Sequence, residues 1–212
     1  MATLHIADVR PLADRRDDLL EQLTPERRAK ALRPLGERDR LLSLGAGLLL
    51  MRSFGPKAKN LRYDRIGKPV FDDGPFLSLS HSGFFSALAI DPNRPIGCDV
   101  QCREKISPEI IAKRFFHPAE RDLLRETVEE DRESLFYRLW TLKESYLKML
   151  GCGFTLPPNR VRFALAPTVQ LVETPVEGPR PFFFTERIDS LHTLAVCSAS
   201  PFTPQEVERV LF

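Results

Sequence analysis

The chain has only four cysteines, Cys98, Cys102, Cys152 and Cys197, and no C-x-x-C pair among them. Cys98 and Cys102 have C-x3-C spacing, with no second Cys or His pair at zinc-finger distance, which argues against structural zinc and for free thiols in a reducing compartment. No apolar run is long enough to cross a bilayer: the nearest, 41–51, is broken by Ser43, Gly45 and Gly47. The first residues, MATLHIADVRP, lack the basic-then-apolar pattern of a secretory signal, so the cytoplasm is the expected location and no membrane partner is expected. Charge of either sign is not in excess. The formal net charge is +2, which gives no reason to expect a nucleic-acid partner. There is no G-x-S-x-G elbow for a serine hydrolase, no clustered carboxylate set for a two-metal phosphohydrolase, and no sequence repeat.

What is present is an ordinary globular composition, 42% hydrophobic and 28% charged over 212 residues, enough for one large domain or two small ones. Residues 3–9 read as a strand. Thr24-Pro25 starts a helix that stops before Pro34, and residues 37–54 form a longer one ended by Gly55-Pro56. Residues 76–80 and 84–90 read as a hairpin around His81-Ser82-Gly83, followed by a short strand at 96–100. Further helices are predicted from Ser107-Pro108, from His117-Pro118 and up to Gly151, and from Val161 onward short apolar runs suggest an antiparallel sheet. Helices precede strands in each half, which is an α+β pattern with a boundary near 100–105.

Five stretches carry polar residues in unusual places. On the helix ending at Gly151, Trp140, Glu144 and Lys148 follow i, i+4, i+8 spacing and share one face, where a packed wall, a carboxylate and an ammonium can hold a metal-bound phosphate. Arg65-Ile66-Gly67-Lys68-Pro69 is a Gly/Pro-bounded loop with a lysine at its tip. Ser78-Leu79-Ser80-His81-Ser82 ends an apolar strand in phosphate donors, although adjacent Ser80 and His81 point to opposite strand faces. In Ile96-Gly97-Cys98-Asp99-Val100-Gln101, Asp99 and Gln101 project to one side, and an acid among apolar neighbours needs a cation or a partner. Asp99 with Glu144 would satisfy Mg²⁺, which takes one or two carboxylates. In Phe115-Phe116-His117-Pro118-Ala119-Glu120, His117 is a helix cap and the aromatics are core.

Taken in this order, G-K-P, S-L-S-H-S, G-C-D-V-Q, F-F-H-P-A-E and W-T-L-K-E-S-Y-L-K-M-L-G resemble the 4′-phosphopantetheinyl transferases of the surfactin-synthetase-activating type, over roughly residues 25–155. The resemblance implies an α+β monomer of two similar halves, 1–102 and 103–212, related by a pseudo-twofold, with coenzyme A in the cleft between them. It implies transfer of the phosphopantetheine arm from coenzyme A to a serine of an apo acyl or peptidyl carrier protein, releasing adenosine 3′,5′-bisphosphate. Asp99 and Glu144 become Mg²⁺ ligands, with Gln101 beside them where the family often has a second acid. Lys143 and Lys148 fall in the catalytic helix, and Lys68 and Pro69 border the adenine. Ser80 and His81 face the 3′-phosphate, and Lys30, Arg33 and Arg40 contact phosphate. Glu144 is the leading general base, with Lys148 a competitor if burial depresses its pKa. A non-catalytic coenzyme A or carrier-binding module, with Gln101 marking a weakened metal site, is the alternative.

Overall fold

The structure is a computed structural model that describes residues 2–203 and 207–212. In chain order its elements are β1 (Thr3–Asp8), α1 (Arg16–Leu20), α2 (Pro25–Leu32), α3 (Glu37–Phe54), β2 (Arg62–Tyr63), β3 (Pro69–Val70), β4 (Phe76–Ser82), β5 (Phe85–Asp91) and β6 (Ile96–Cys102). There follow α4 (Pro108–Phe115), α5 (Pro118–Glu126), α6 (Glu129–Leu150), β7 (Arg162–Ala164), β8 (Gln170–Glu173), β9 (Phe182–Arg187), β10 (His192–Ser198) and β11 (Val207–Val210).

Two sheets form the centre. One has the order β11-β1-β5-β4, the other β6-β10-β9. All pairings in them are antiparallel except β1 with β11. Strand alternation divides the side chains between two interfaces. Leu4, Ile6, Ala87 and Ala89 of the first sheet meet Ile96, Cys98, Val100, Leu194 and Val196 of the second in one buried cluster. The opposite faces are covered by the long helices. Leu49 and Leu50 of α3 pack on Ala7, Leu77 and Leu88, while Leu139, Leu142 and Tyr146 of α6 pack with Ala195 and Cys197. The layers therefore run helix, sheet, sheet, helix. Strands β5 and β10 are apolar on both faces because both are covered.

The helix ends follow from the sequence. Thr24 caps α2 by accepting from the Arg27 amide, and Pro25 takes the first helical position. His117 and Glu120 close a capping box on α5. Gly151, at φ 65°, ends α6 in the left-handed conformation.

Two features depart from the sequence-based expectation. Strand β6 lies before the expected boundary at 102 but is the edge strand of the second sheet, and β11 returns from the second half to pair with β1 of the first. The runs after Val161 do not form a single sheet: β7 and β8 make a separate ribbon, and β9 and β10 join β6.

Candidate active site

Gly97 decides how closely α6 approaches β6. A Cβ there would lie 2.0 Å from the Ser145 carbonyl oxygen and 2.4 Å from the Met149 amide nitrogen, so only glycine lets helix and strand backbones touch. Two residues on, Asp99 then faces α6 at the level of Glu144 and Lys148. Lys148 Nζ lies 2.7 Å from Asp99 Oδ1, and Asp99 is 2% exposed. The Gln101 amide donates to Asp99 Oδ2 at 2.9 Å.

A cleft of about 700 Å³ opens beside this group, a size suited to a cofactor-sized ligand. One wall carries Asp99 and Gln101 of β6 with Trp140, Glu144 and Lys148 of α6 and Phe154 beyond it, so the predicted Trp140–Glu144–Lys148 stripe lines it as one face. Trp140 is held by Phe115, Phe116 and Phe136, with ring centroids 5.6, 6.3 and 6.4 Å away. The other wall carries Arg27, Lys30, Tyr63, Lys68, Pro69, Ser80 and His81.

Charge in the cleft is unbalanced. The Glu144 carboxyl is pushed up to about 7 by burial and by the Asp99 charge, with Lys148 offsetting part of the rise, and it has no hydrogen-bond partner among the described residues. Burial alone would lower the Lys148 pKa, but the Asp99 charge and hydrogen bond, together with the charges of other neighbours including Glu144, outweigh it and the ammonium stays above its ordinary value. Burial pushes the Lys68 ammonium down, and its Nζ donates to the Lys148 carbonyl at the end of α6. His81, at the exposed rim, is held below its usual pKa by desolvation and by the charges of Lys148 and Arg27.

Arg27 was not singled out by the sequence. It is 7% exposed, reaches Tyr63 Oη and the Ser43 carbonyl, has no carboxylate partner among the described residues, and its Nε is buried without a hydrogen bond. A buried guanidinium with a free donor in a cleft is suited to an anion. Lys30 stands beside it, its Nζ 3.7 Å from the Tyr63 ring centroid. The expected Arg33 and Arg40 do not line the cleft: Arg33 is exposed after the end of α2, and Arg40 Nε donates to the Pro34 carbonyl.

Lys143 is also placed elsewhere. It is 1% exposed, lies 2.7 Å from Glu120 Oε2, and donates to the Pro158 and Val161 carbonyls. One residue along a helix is a turn of about 100°, which points Lys143 into the packed second half while Glu144 faces the cleft. Glu120 accepts in addition from the His117 and Phe163 amides, so this buried pair ties α5 and the 158–163 segment to α6.

No group of three or more His, Cys, Asp or Glu side chains suited to a metal occurs among the described residues. The oxygen donors present are Asp99, Glu144 and the Gln101 amide. Two hard carboxylates, one of them without a hydrogen-bond partner among the described residues, fit Mg²⁺, which needs no more from the protein when phosphates supply the rest. No helix among the described residues is long and apolar enough to cross a membrane.

An α+β body of two packed sheets between two long helices, with carboxylates and cations lining one cleft, defines a phosphate-handling site. The family model of the 4′-phosphopantetheinyl transferase superfamily matches residues 95–197. The chain is 30% identical over 213 residues to 4′-phosphopantetheinyl transferase Sfp of Bacillus subtilis (strain 168), covering 96% of this chain and 94% of the relative. A second Bacillus subtilis 4′-phosphopantetheinyl transferase is 34% identical, covering 91% of this chain and 89% of its own length. 4′-Phosphopantetheinyl transferase HetI of Nostoc is 34% identical over 71% of this chain and 68% of its own. The chain belongs to the 4′-phosphopantetheinyl transferase superfamily, and these similarities place it with the Sfp type.

Proposed function

We propose that this protein is a Mg²⁺-dependent cytoplasmic monomer that transfers the 4′-phosphopantetheine arm of coenzyme A to a serine of an apo carrier protein, leaving adenosine 3′,5′-bisphosphate. The observation that carries the reading is the cleft between Glu144–Lys148–Asp99 on one wall and Arg27–Lys30–His81 on the other. It pairs a reaction centre with a separate cationic surface for the nucleotide phosphates.

In the reaction the carrier serine oxygen bonds to the β-phosphorus, the bond from that phosphorus to the bridging oxygen breaks, and the nucleotide leaves with the electron pair. Catalysis of this kind is placement plus charge neutralisation. Asp99 and Glu144, with Gln101, would hold Mg²⁺, which when bound supplies Lewis-acid neutralisation of phosphate charge. Glu144, facing the cleft from α6, would take the serine proton. Lys148, kept charged by Asp99, faces the oxygens on which negative charge builds. Arg27, Lys30 and His81 would bind the nucleotide phosphates, and Lys68 and Pro69, at the cleft's first-half edge, its base. Trp140 and Phe154 form an apolar wall that limits water.

Asp99→Ala and Glu144→Ala are each expected to abolish release of adenosine 3′,5′-bisphosphate in a chromatographic assay, while calorimetry still detects coenzyme A binding. Turnover near the wild-type rate in either variant would remove these roles. The alternative binding-module reading expects no release from the wild type either.

A further inference from the structure

Strands β4 and β6 are neighbouring edges of different sheets, and their backbones are not hydrogen-bonded to each other as a ladder. An edge strand leaves alternate amides without partners. On β6 these are the amides of Cys98, Val100 and Cys102, and they donate to the hydroxyls of Ser78, Ser80 and Ser82, at 3.0, 3.1 and 2.9 Å. Every second residue of β4 thus replaces a backbone carbonyl with its side chain, and three rungs stitch the two sheets together.

The middle rung differs from its neighbours. A serine hydroxyl has one donor and two acceptor positions. Ser80 Oγ accepts from the Val100 amide, accepts from Lys148 Nζ at 2.9 Å, and donates to Asp99 Oδ1 at 2.9 Å. All three positions are filled by the protein, and the residue is 6% exposed. Nothing remains to donate to a phosphate, contrary to the expectation that Ser80 and His81 act together on the 3′-phosphate. His81, the next residue along β4, lies on the other strand face.

We infer that Ser80 is a positioning residue: its hydroxyl, shared between the seam of the two sheets and the Asp99–Lys148 pair, sets the geometry of that pair without touching coenzyme A. The inference rests on the transferase reading, since it concerns the step that Asp99 and Lys148 serve. Its consequence is that the reaction centre is tied to the relative position of the two sheets.

The test compares Ser80→Ala with Ser82→Ala, a rung of the same kind that touches no catalytic group. Coenzyme A affinity is read by calorimetry and kcat by transfer to an apo carrier protein. Ser80→Ala is expected to lower kcat by about tenfold or more, the loss of a charge-assisted contact, with the coenzyme A Kd within about threefold of wild type. Ser82→Ala is expected to leave both within about threefold. Ser80→Cys, which keeps the shape but is a weak donor, carries the same expectation as the alanine and serves if the alanine does not fold. A coenzyme A Kd raised about tenfold with kcat retained would make Ser80 a phosphate ligand and overturn the inference. An equal loss of kcat in Ser82→Ala would reduce Ser80 to a seam residue. Absence of transfer by the wild type on every carrier would instead strike the transferase reading itself.

Discussion

Glu144 holds its proton more tightly than an ordinary carboxyl does. Its folded pKa of about 7 lies above the ordinary 4.5 because burial and Asp99 both disfavour the carboxylate. The folded state therefore holds this proton more tightly than the unfolded state, and ionisation costs stability as pH rises from about 4.5 to about 7. In EDTA, Glu144→Gln should match the wild type near pH 4.5 and exceed it above pH 7 by up to about 3 kcal/mol, read as an increasing difference in Tm with pH. An unchanging difference between pH 5 and pH 8 would contradict the assignment. On the opposite wall, Arg27→Ala is expected to raise the coenzyme A Kd by about tenfold or more, while Arg33→Ala and Arg40→Ala stay within about threefold. Equal effects from all three would return the phosphate contact to the α2–α3 connection. Sequence reasoning found Glu144 and Lys148 because their spacing is a property of any helix. It missed Arg27 because one arginine among six basic residues at 27–40 gives no sign of which one is buried.

At the scale of the elements, α6 is the part most fully readable from sequence. Its apolar stripe, its glycine stop and its cleft-facing polar line are all local properties, and its observed range ends at Leu150 before Gly151 as expected. The role of Lys143 was not readable, since its partner Glu120 lies on α5 and only packing brings them together. Removing one member of a buried pair leaves the other uncompensated, so Lys143→Met is expected to cost about 3–5 kcal/mol of stability in denaturant unfolding. Its coenzyme A affinity should stay within about threefold of wild type. A weakened affinity without loss of stability would restore Lys143 to the cleft. The sequence presents the serine-rich end of β4 as a strand end carrying phosphate donors. Alternation along the strand does place one set of residues on one face, but that this face meets the bare edge of β6 depends on how two sheets stack, which no local pattern encodes.

For the whole molecule, the layered order of helix, sheet, sheet, helix explains why the site lies where it does. The two sheets share a core but not a backbone ladder, and the cleft lies where their neighbouring edges β4 and β6 meet α6. The α+β class followed from helices preceding strands. The return of β11 to β1 did not, because a four-residue strand pairing parallel with residues some two hundred positions away leaves no local trace. The central claim is that this cleft moves a phosphopantetheine arm, and intact-protein mass spectrometry tests it most directly. The protein, Mg²⁺ and coenzyme A are mixed with a panel of apo acyl and peptidyl carrier proteins. The account predicts that at least one carrier gains the mass of a single arm, that EDTA prevents the gain, and that added Mg²⁺ restores it. Coenzyme A binding with no mass gain on any carrier would contradict it.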